Sequence, residues 1–151
     1  MAIDTVVVCT DGSELASHGI QAGFALLAPA QRVIVVTVTE PADATLVTGA
    51  GFAGGVVSPE EYDELNAARL DDAKEIVTRG AAELGGGPVE TRVLVGDTGP
   101  AICAFANEVG ASAIVMGTRG RGGIKRALLG SVSDHVVRNA ACPVVITARP
   151  D

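Results

Sequence analysis

Short runs of apolar, mostly β-branched residues recur along the chain, separated by longer stretches in which apolar residues stand three and four positions apart. The runs are continuous rather than alternating with polar residues, which is typical of parallel strands covered on both faces. They predict five strands, at residues 3–10, 32–39, 89–95, 112–116 and 144–148.

The longer stretches predict helices, and two of them carry clear start signals. Ser13 is placed to cap a helix that ends near Ala28. Ser58-Pro59-Glu60-Glu61 reads as a capping box for a helix that ends near Leu84. Residues 96–100 are predicted to open a shorter helix that ends near Val109, and another is predicted at residues 131–140.

The order β-α-β-α-β-α-β-α-β predicts one doubly wound α/β domain over residues 1–151, with a five-stranded parallel sheet and helices on both faces. We expect the strand order 3-2-1-4-5, which puts the switch point between the first and fourth strands. Ligands of such sheets bind at the carboxyl ends of the strands that flank this point. Here these ends lead into residues 10–13 and 117–131.

Composition limits the class of protein. Of 151 residues, 48% are hydrophobic and 19% are charged, which is enough apolar material for a core. The apolar stretches are all shorter than the roughly 18 residues that span a bilayer, and no basic leader segment is visible. We therefore expect no membrane segment and a cytoplasmic location.

The formal net charge of −7 argues against nucleic acid as a partner, because an acidic protein repels polyanions. The charge is uneven, since seven of the 18 acids lie within residues 60–75. Four of the 11 basic residues lie within residues 119–126, where a solvated basic face is the alternative to a role in phosphate binding. These four are Arg119, Arg121, Lys125 and Arg126.

The three cysteines, Cys9, Cys103 and Cys142, are odd in number and include no C-x-x-C pair. Neither a disulfide framework nor a zinc site is therefore predicted. Each lies among apolar residues, so we expect small buried hydrophobic side chains.

The glycine-rich stretch between the fourth strand and the last helix has the parts of a phosphate cradle. Glycines let backbone amides approach a phosphate closely, and a helix N-terminus adds free N–H groups and a positive dipole end. Ser131 and Ser133 add hydroxyl groups there. The alternatives are a solvated loop and, for Ser131, a plain helix cap.

Residues 40–57 are rich in Gly and Ala and are predicted to form a long loop. Within it, residues 49–54 fit the dinucleotide pattern G-x-G-x-x-G. That fingerprint needs a strand directly before it and a helix opening at it. Neither is predicted here, so we do not expect NAD binding. No Gly-Lys pair occurs in the chain, which excludes a P-loop.

Three motifs carry a family resemblance. The pattern G-x2-G-x9-G-[ST] is met by Gly117, Gly120, Gly130 and Ser131. Thr10-Asp11-Gly12-Ser13 stands at the end of the first predicted strand. Cys142-Pro143-Val144-Val145-Ile146 stands at the last predicted strand. Together they resemble the ATP-binding branch of the universal stress protein family, and the likeness covers essentially the whole chain.

The resemblance implies an ATP site, with Mg or Mn as a further expectation. Asp11 would face the base and ribose, and Val38 would contact adenine, partly through its backbone. The same wall would be lined by Cys9 and Thr10, and the other side of the base or ribose by Met116 and Gly117. The phosphates would be held by Gly120, Gly130, Ser131, Val132 and Ser133. Arg119 is also expected among the nucleotide-binding residues. The resemblance also implies a homodimer through the last strand, at Val144, Val145 and Ile146.

Hydrolysis needs an activated water, a metal and stabilisation of the transferred phosphoryl group. The sequence offers Asp11 as a metal partner but no evident base beside a terminal phosphate. We therefore expect a regulatory nucleotide-binding protein with little or no turnover. Two alternatives stay open, a slow ATPase on the same scaffold and an interaction module with an empty pocket. A role in stress is implied by the resemblance alone.

Overall fold

The alternation of strands and helices predicted from the sequence is the order found in the structure. The computed structural model describes residues 3–27, 29–48, 56–85, 88–118 and 129–147. The strands are β1 (Thr5–Cys9), β2 (Arg32–Thr39), β3 (Val89–Val95), β4 (Ala113–Gly117) and β5 (Val144–Thr147). The helices are α1 (Glu14–Ala25), α2 (Thr45–Thr48), α3 (Pro59–Leu84), α4 (Thr98–Glu108) and α5 (Ser131–Asn139).

The five strands lie in one parallel sheet in the order β3-β2-β1-β4-β5, which confirms the predicted single doubly wound α/β domain. β1 is central, with Val8 opposite Val35 of β2 on one side and opposite Val115 of β4 on the other. β3 and β5 form the two edges.

Each face of the sheet has its own core. α1 and α3 cover the first face, whose buried side chains are Val6, Val8, Ala16, Ile20, Val33, Val35, Val77 and Val115. α4 and α5 cover the second, whose buried side chains are Val7, Cys9, Ile34, Val36, Ile102, Phe105, Ala106, Ile114, Met116 and Val136. Alternate residues of β1, β2 and β4 supply the two faces, which explains why these strands read as unbroken apolar runs.

Both predicted caps at the start of long helices are present. The Ser13 hydroxyl accepts a hydrogen bond from the Ala16 N–H at 3.2 Å. At the start of α3, the Ser58 hydroxyl accepts from the Glu61 N–H at 3.1 Å, and the Glu61 carboxylate accepts from the Ser58 N–H at 2.8 Å. α1 ends at Ala25, before the predicted end at Ala28, which lies outside the described residues.

α1 packs very closely on the strands beneath it. A Cβ at Gly23 would lie 2.6 Å from Cγ2 of Thr147 and 2.9 Å from Cγ1 of Val115. A helix carrying a larger side chain at this position would have to move away from the sheet, because real Cβ atoms do not approach that closely.

The chain after β2, residues 40–48, forms what we call the β2-exit segment. The sequence predicts a loop here, but residues 45–48 form the single helical turn α2, and three side chains of α3 hold the rest. The Ala42 N–H donates to Asn66 Oδ1 at 2.8 Å, and the Tyr62 hydroxyl donates to the Ala42 carbonyl at 2.8 Å. Arg69 Nη1 donates to the Glu40 carbonyl at 2.9 Å. We call Tyr62, Asn66 and Arg69 the α3 clasp.

The α3 clasp lies on one face of α3, and further toward the C-terminus of the helix the same face packs on the sheet. Spacings of three and four residues lead from Tyr62 through Asn66 and Arg69 to Ala73 and Val77, and the last two are buried. The dinucleotide-like residues 49–54 lie outside the described part of the chain.

Within the described ranges, the helices are all too short or too polar to cross a membrane. A cytoplasmic location stays a prediction.

Candidate functional site

β1 and β4 lie side by side at the centre of the sheet, but the chain leaves them toward opposite faces. β1 continues into α1 on the first face, and the chain after β4 returns as α5 on the second. The divergence opens a crevice at the carboxyl ends of the two strands, where ligands of open α/β sheets bind. The structure brings four predicted site residues to these ends, namely Cys9, Thr10, Met116 and Gly117.

The turn after β1, residues 10–13, is held by its own side chains. Thr10 Oγ1 accepts from the Gly12 N–H at 3.1 Å. Asp11 Oδ1 accepts from the N–H of Ser13 at 3.0 Å and from its hydroxyl at 2.7 Å. Gly12 has a φ of +77°, in the left-handed region that favours glycine. Asp11-Gly12-Ser13 therefore forms a turn and a helix cap.

One atom of this turn has no role in holding it together. Asp11 Oδ2 is buried, and it has no hydrogen-bond partner among the described residues. A carboxylate oxygen only accepts hydrogen bonds, and leaving one buried without a partner costs about 1–3 kcal/mol. The atom is therefore placed to receive a donor or a cation from outside the turn.

Cys9 and Met116, at the ends of β1 and β4, belong to the buried core of the second face, with 8% and 5% of their surfaces exposed. Burial, and to a lesser extent the nearby thiols of Cys103 and Cys142, raises the pKa of Cys9 to about 12. The Cys9 thiol is therefore neutral at physiological pH, and it packs as a small hydrophobe rather than reacting.

Cys103 and Cys142 are less buried than the sequence predicts. Both are partly exposed, because they pack at the rim of the second-face core and not inside it. Partial burial raises the pKa of each thiol above its ordinary value.

Val38 lies where β2 extends beyond β1. The Thr10 N–H donates to the Val36 carbonyl at 3.0 Å, and the Gly96 N–H donates to the Thr39 carbonyl at 3.0 Å. The N–H and C=O of a strand residue point to one side, and the side alternates along the strand. Val36 and Val38 therefore point toward β1, which ends at Cys9. The N–H and C=O of Val38 face the crevice, and neither bonds to another described residue.

α5 begins at Ser131 with Gly130 as its N-cap, so the alternative in which Ser131 is the cap is wrong. Gly130 takes this position because its N–H donates to the Thr118 carbonyl at 2.8 Å, which fixes it outside the helix. The first bond inside the helix runs from the Asp134 N–H to the Gly130 carbonyl at 2.9 Å. Helix geometry leaves the preceding N–H groups free, at the positive end of the dipole. These belong to Ser131, Val132 and Ser133.

The two serines of α5 differ in what their hydroxyls can reach. Ser133 is 2% exposed, and its hydroxyl lies 3.0 Å from the carbonyls of both Thr118 and Gly130. It therefore ties the first turn of α5 to the exit of β4. Ser131 is exposed. Sequence reasoning assigned both hydroxyls to phosphates, and the signal that separates them is that Ser133 stands three residues before the buried Val136.

Thr118 was missed from the sequence, although it directly follows Gly117. Its N–H donates to the Thr147 carbonyl at 3.0 Å, and its carbonyl accepts from Gly130. These bonds bring the two ends of the glycine-rich stretch together. Arg119 and Gly120 lie outside the described residues, as do Arg121, Lys125 and Arg126, so their predicted roles stay predictions.

In the described part of the chain, no three or more His, Cys, Asp or Glu side chains are grouped so that they could hold a metal ion. A cation at Asp11 would therefore need most of its ligands from a bound molecule or from water, which is how Mg²⁺ is usually held beside phosphates.

Comparison with known proteins identifies the family of the chain. Residues 2–148 match the model of the universal stress protein family. Universal stress protein MJ0531 of Methanocaldococcus jannaschii is 34% identical over 149 residues, which cover 96% of this chain and 82% of that protein.

Two solved structures extend the likeness to the fold. Hypothetical protein MJ0577 has a TM-score of 0.75 at 23% identity, with 100% of this chain and 99% of that chain covered. A universal stress protein crystallised in complex with cAMP has a TM-score of 0.61 at 27% identity, with 99% and 100% covered. The family match spans nearly the whole chain, the strand order is the predicted one, and the chain belongs to the universal stress protein family.

Proposed function

We propose that this protein binds an adenine nucleotide, with ATP as the preferred ligand, in the crevice between β1 and β4. The observation that carries the proposal is the convergence there of three unsatisfied features. They are the buried Oδ2 of Asp11, the N–H and C=O of Val38, and the first N–H groups of α5, none of which has a partner among the described residues.

Each feature suits one part of the ligand. Val38 offers one donor and one acceptor, which matches the N6 amine and N1 nitrogen at the edge of adenine. Asp11 Oδ2 would accept from a ribose hydroxyl or bind a cation that arrives with the phosphates. The N-terminus of α5 would take phosphate oxygens through backbone N–H groups and its dipole.

The family relative that was crystallised with cAMP supports an adenine nucleotide as the ligand class. The preference for ATP rests on the glycine-rich motif, in which Gly117, Gly130 and Ser131 stand at the described positions. Mg or Mn would accompany ATP, with Asp11 as the residue that could reach it.

A thermal melt with and without Mg-ATP tests the proposal. Ligand at 100 times its dissociation constant stabilises a protein by about 2.7 kcal/mol, which raises the midpoint of a domain of this size by roughly 5–10 °C. Asp11→Asn keeps an oxygen for Ser13 but removes the charge, and it should abolish most of the shift. Asp71→Asn makes the same change on the exposed surface of α3 and should keep the shift.

No shift at millimolar ATP would refute the proposal and favour the alternative of an interaction module with an empty pocket. An equal shift in Asp11→Asn would show that ATP binds elsewhere.

We propose that binding is accompanied by little or no hydrolysis. The acid in the first turn of α5, Asp134, is engaged in an ion pair with Arg138 at 2.9 Å. Release of phosphate from Mg-ATP by the purified protein is the measurement. Turnover near the roughly 1–100 s⁻¹ of kinases would overturn this expectation, and a slow rate would support the alternative of a slow ATPase.

We also propose a homodimer through β5, whose residues Val144, Val145 and Ile146 are only half-buried at the sheet edge. Pro143 and Thr147 direct their carbonyls to β4, so the backbone groups of Val144 and Ile146 point outward. An open edge of this kind invites pairing with another chain.

Val144→Pro tests the dimer, because it removes an outward N–H and leaves the bonds to β4 in place. Val145 is a poor choice, since its side chain packs toward α1 in the first-face core. Light scattering should show a monomer for Val144→Pro and a dimer for the unaltered protein. A monomeric unaltered protein would refute the proposal.

A further inference from the structure

Several backbone N–H and C=O groups around the exit of β2 have identified hydrogen-bond partners. The carbonyls of Val36, Thr39 and Glu40 accept from Thr10, Gly96 and Arg69 respectively. Both backbone groups of Ala42 are bonded to α3, through Asn66 and Tyr62. The backbone N–H and C=O of Val38 face the crevice and have no partner among the described residues. The bonds on either side of Val38 therefore set where its N–H and C=O point.

Those bonds are of two kinds. Up to the end of β2, Val38 is fixed by the sheet, because Val36 before it and Thr39 after it are bonded to the neighbouring strands. Downstream, the chain has left the sheet, and Ala42 is 3% exposed beneath the N-terminal half of α3. The three bonds from the α3 clasp are side-chain bonds, and two of them are partly buried. The clasp therefore fixes the path of the chain directly after β2, two to four residues beyond Val38.

We propose that the α3 clasp sets the base selectivity of the crevice by holding the Val38 backbone in place. The proposal rests on the proposed function, since it concerns the same site. Tyr62, Asn66 and Arg69 are positioning residues, because they act through Glu40 and Ala42 and do not reach the base.

Selectivity follows from the order of donor and acceptor. The edge of adenine presents a donor at N6 beside an acceptor at N1, and guanine presents an acceptor at O6 beside a donor at N1. A backbone N–H and C=O fixed in place can pair with the adenine edge and leaves the guanine edge unpaired. A site built to hydrogen-bond one group rejects a ligand that lacks it. A segment free to shift would lose this discrimination but keep its affinity for phosphates.

The test measures the dissociation constants of ATP, GTP and inorganic tripolyphosphate in the full-length protein. Asn66→Leu and Tyr62→Phe should each weaken ATP binding by about tenfold, the worth of one hydrogen bond. The ratio of GTP to ATP dissociation constants should fall by the same factor, and tripolyphosphate binding should not change. Asn66→Asp keeps an oxygen to accept from Ala42 and should restore the ratio.

Thr78→Val is the matched control, because it removes a hydroxyl that bonds only within α3, to the Lys74 carbonyl. If Asn66→Leu fails to fold, Tyr62→Phe decides, since it removes a single oxygen. An unchanged ratio in the clasp variants overturns the inference and leaves the proposed function standing. Equal loss of ATP and tripolyphosphate also overturns it, because a general defect would then be the cause. Absence of ATP binding in the unaltered protein overturns both.

Discussion

Two segments carry the chain away from the central strands at the crevice, and they are held in different ways. The turn after β1 is closed mainly by bonds between residues no more than three positions apart, from Thr10 to Ala16, and α3 adds one long bond of 3.4 Å from Arg79 Nη2 to the Gly12 carbonyl. The β2-exit segment is held by side chains 20 to 29 residues away on α3.

The difference has a physical consequence. A turn closed by its own residues forms wherever that short sequence occurs, because no loop has to close before its bonds form. A segment held from α3 forms only when α3 is already packed on the sheet, since closing a loop of this length costs entropy. Both segments border the same crevice, so we expect variants to affect the first through local strain and the second through α3.

The largest effect on stability is expected where the turn after β1 meets α3. Gly12→Ala puts an L side chain at a φ of +77°, and its Cβ would lie 2.9 Å from Cγ1 of Ile76. We expect a loss of about 2–3 kcal/mol in the free energy of unfolding. Circular dichroism in urea measures it, because the chain has no Trp.

Gly110→Ala is the control for that change. Gly110 has a φ of +61° with open space around its Cβ position, so it should lose only about 1 kcal/mol for the backbone. Equal losses in the two variants would show that α3 does not crowd the turn.

Asn66→Leu tests the second segment. It leaves the N–H of the buried Ala42 without an acceptor, and we expect a loss of about 1–2 kcal/mol. Amide hydrogen exchange should accelerate by roughly tenfold in residues 40–48, while residues 10–13 keep their protection. Acceleration in both segments would contradict the separation drawn between them.

Ser13→Ala tests the first segment by a smaller change. It removes the cap on the Ala16 N–H and the hydroxyl that bonds to Asp11, and we expect a loss of about 1 kcal/mol in urea denaturation. Ser13→Thr keeps the hydroxyl and should stay close to the unaltered protein. A comparable loss in the threonine variant would assign the effect to packing.

Arg69→Gln should have the smallest effect on stability. The Arg69 side chain is exposed and its bond to the Glu40 carbonyl is open to water, so a loss below about 0.5 kcal/mol is expected in the same denaturation assay. A loss well above that value would make Arg69 as structurally important as Asn66.

The same contrast explains what could be predicted from the sequence. The bounds of β2 and β3 match the predicted runs, and the caps at Ser13 and Ser58 were visible as local patterns. The strand order also followed, because the alternation of elements restricts a parallel sheet to few arrangements. The switch point located the two loops of the crevice, whereas the roles of Cys9, Asp11 and Met116 followed from the family resemblance.

Long-range contacts could not be predicted. Nothing in residues 40–48 indicates that Asn66 and Tyr62 will bond to Ala42. The inward hydroxyl of Ser133 and the partial exposure of Cys103 likewise depend on what packs against them. The alternation of strands and helices located the site. Tertiary contacts determine which of its polar groups have hydrogen-bond partners within the described residues.

α3 also limits which insertions the chain can accept. Its 26 residues extend about 39 Å at 1.5 Å per residue, whereas the eight residues of β2 extend about 26 Å. One stripe packs on the sheet through Ala73 and Val77 and then continues as the α3 clasp. A single inserted residue between Asn66 and Ala73 would turn the clasp by about 100° and point it away from the β2-exit segment. This part of α3 should therefore accept changes of residue far more readily than changes of length.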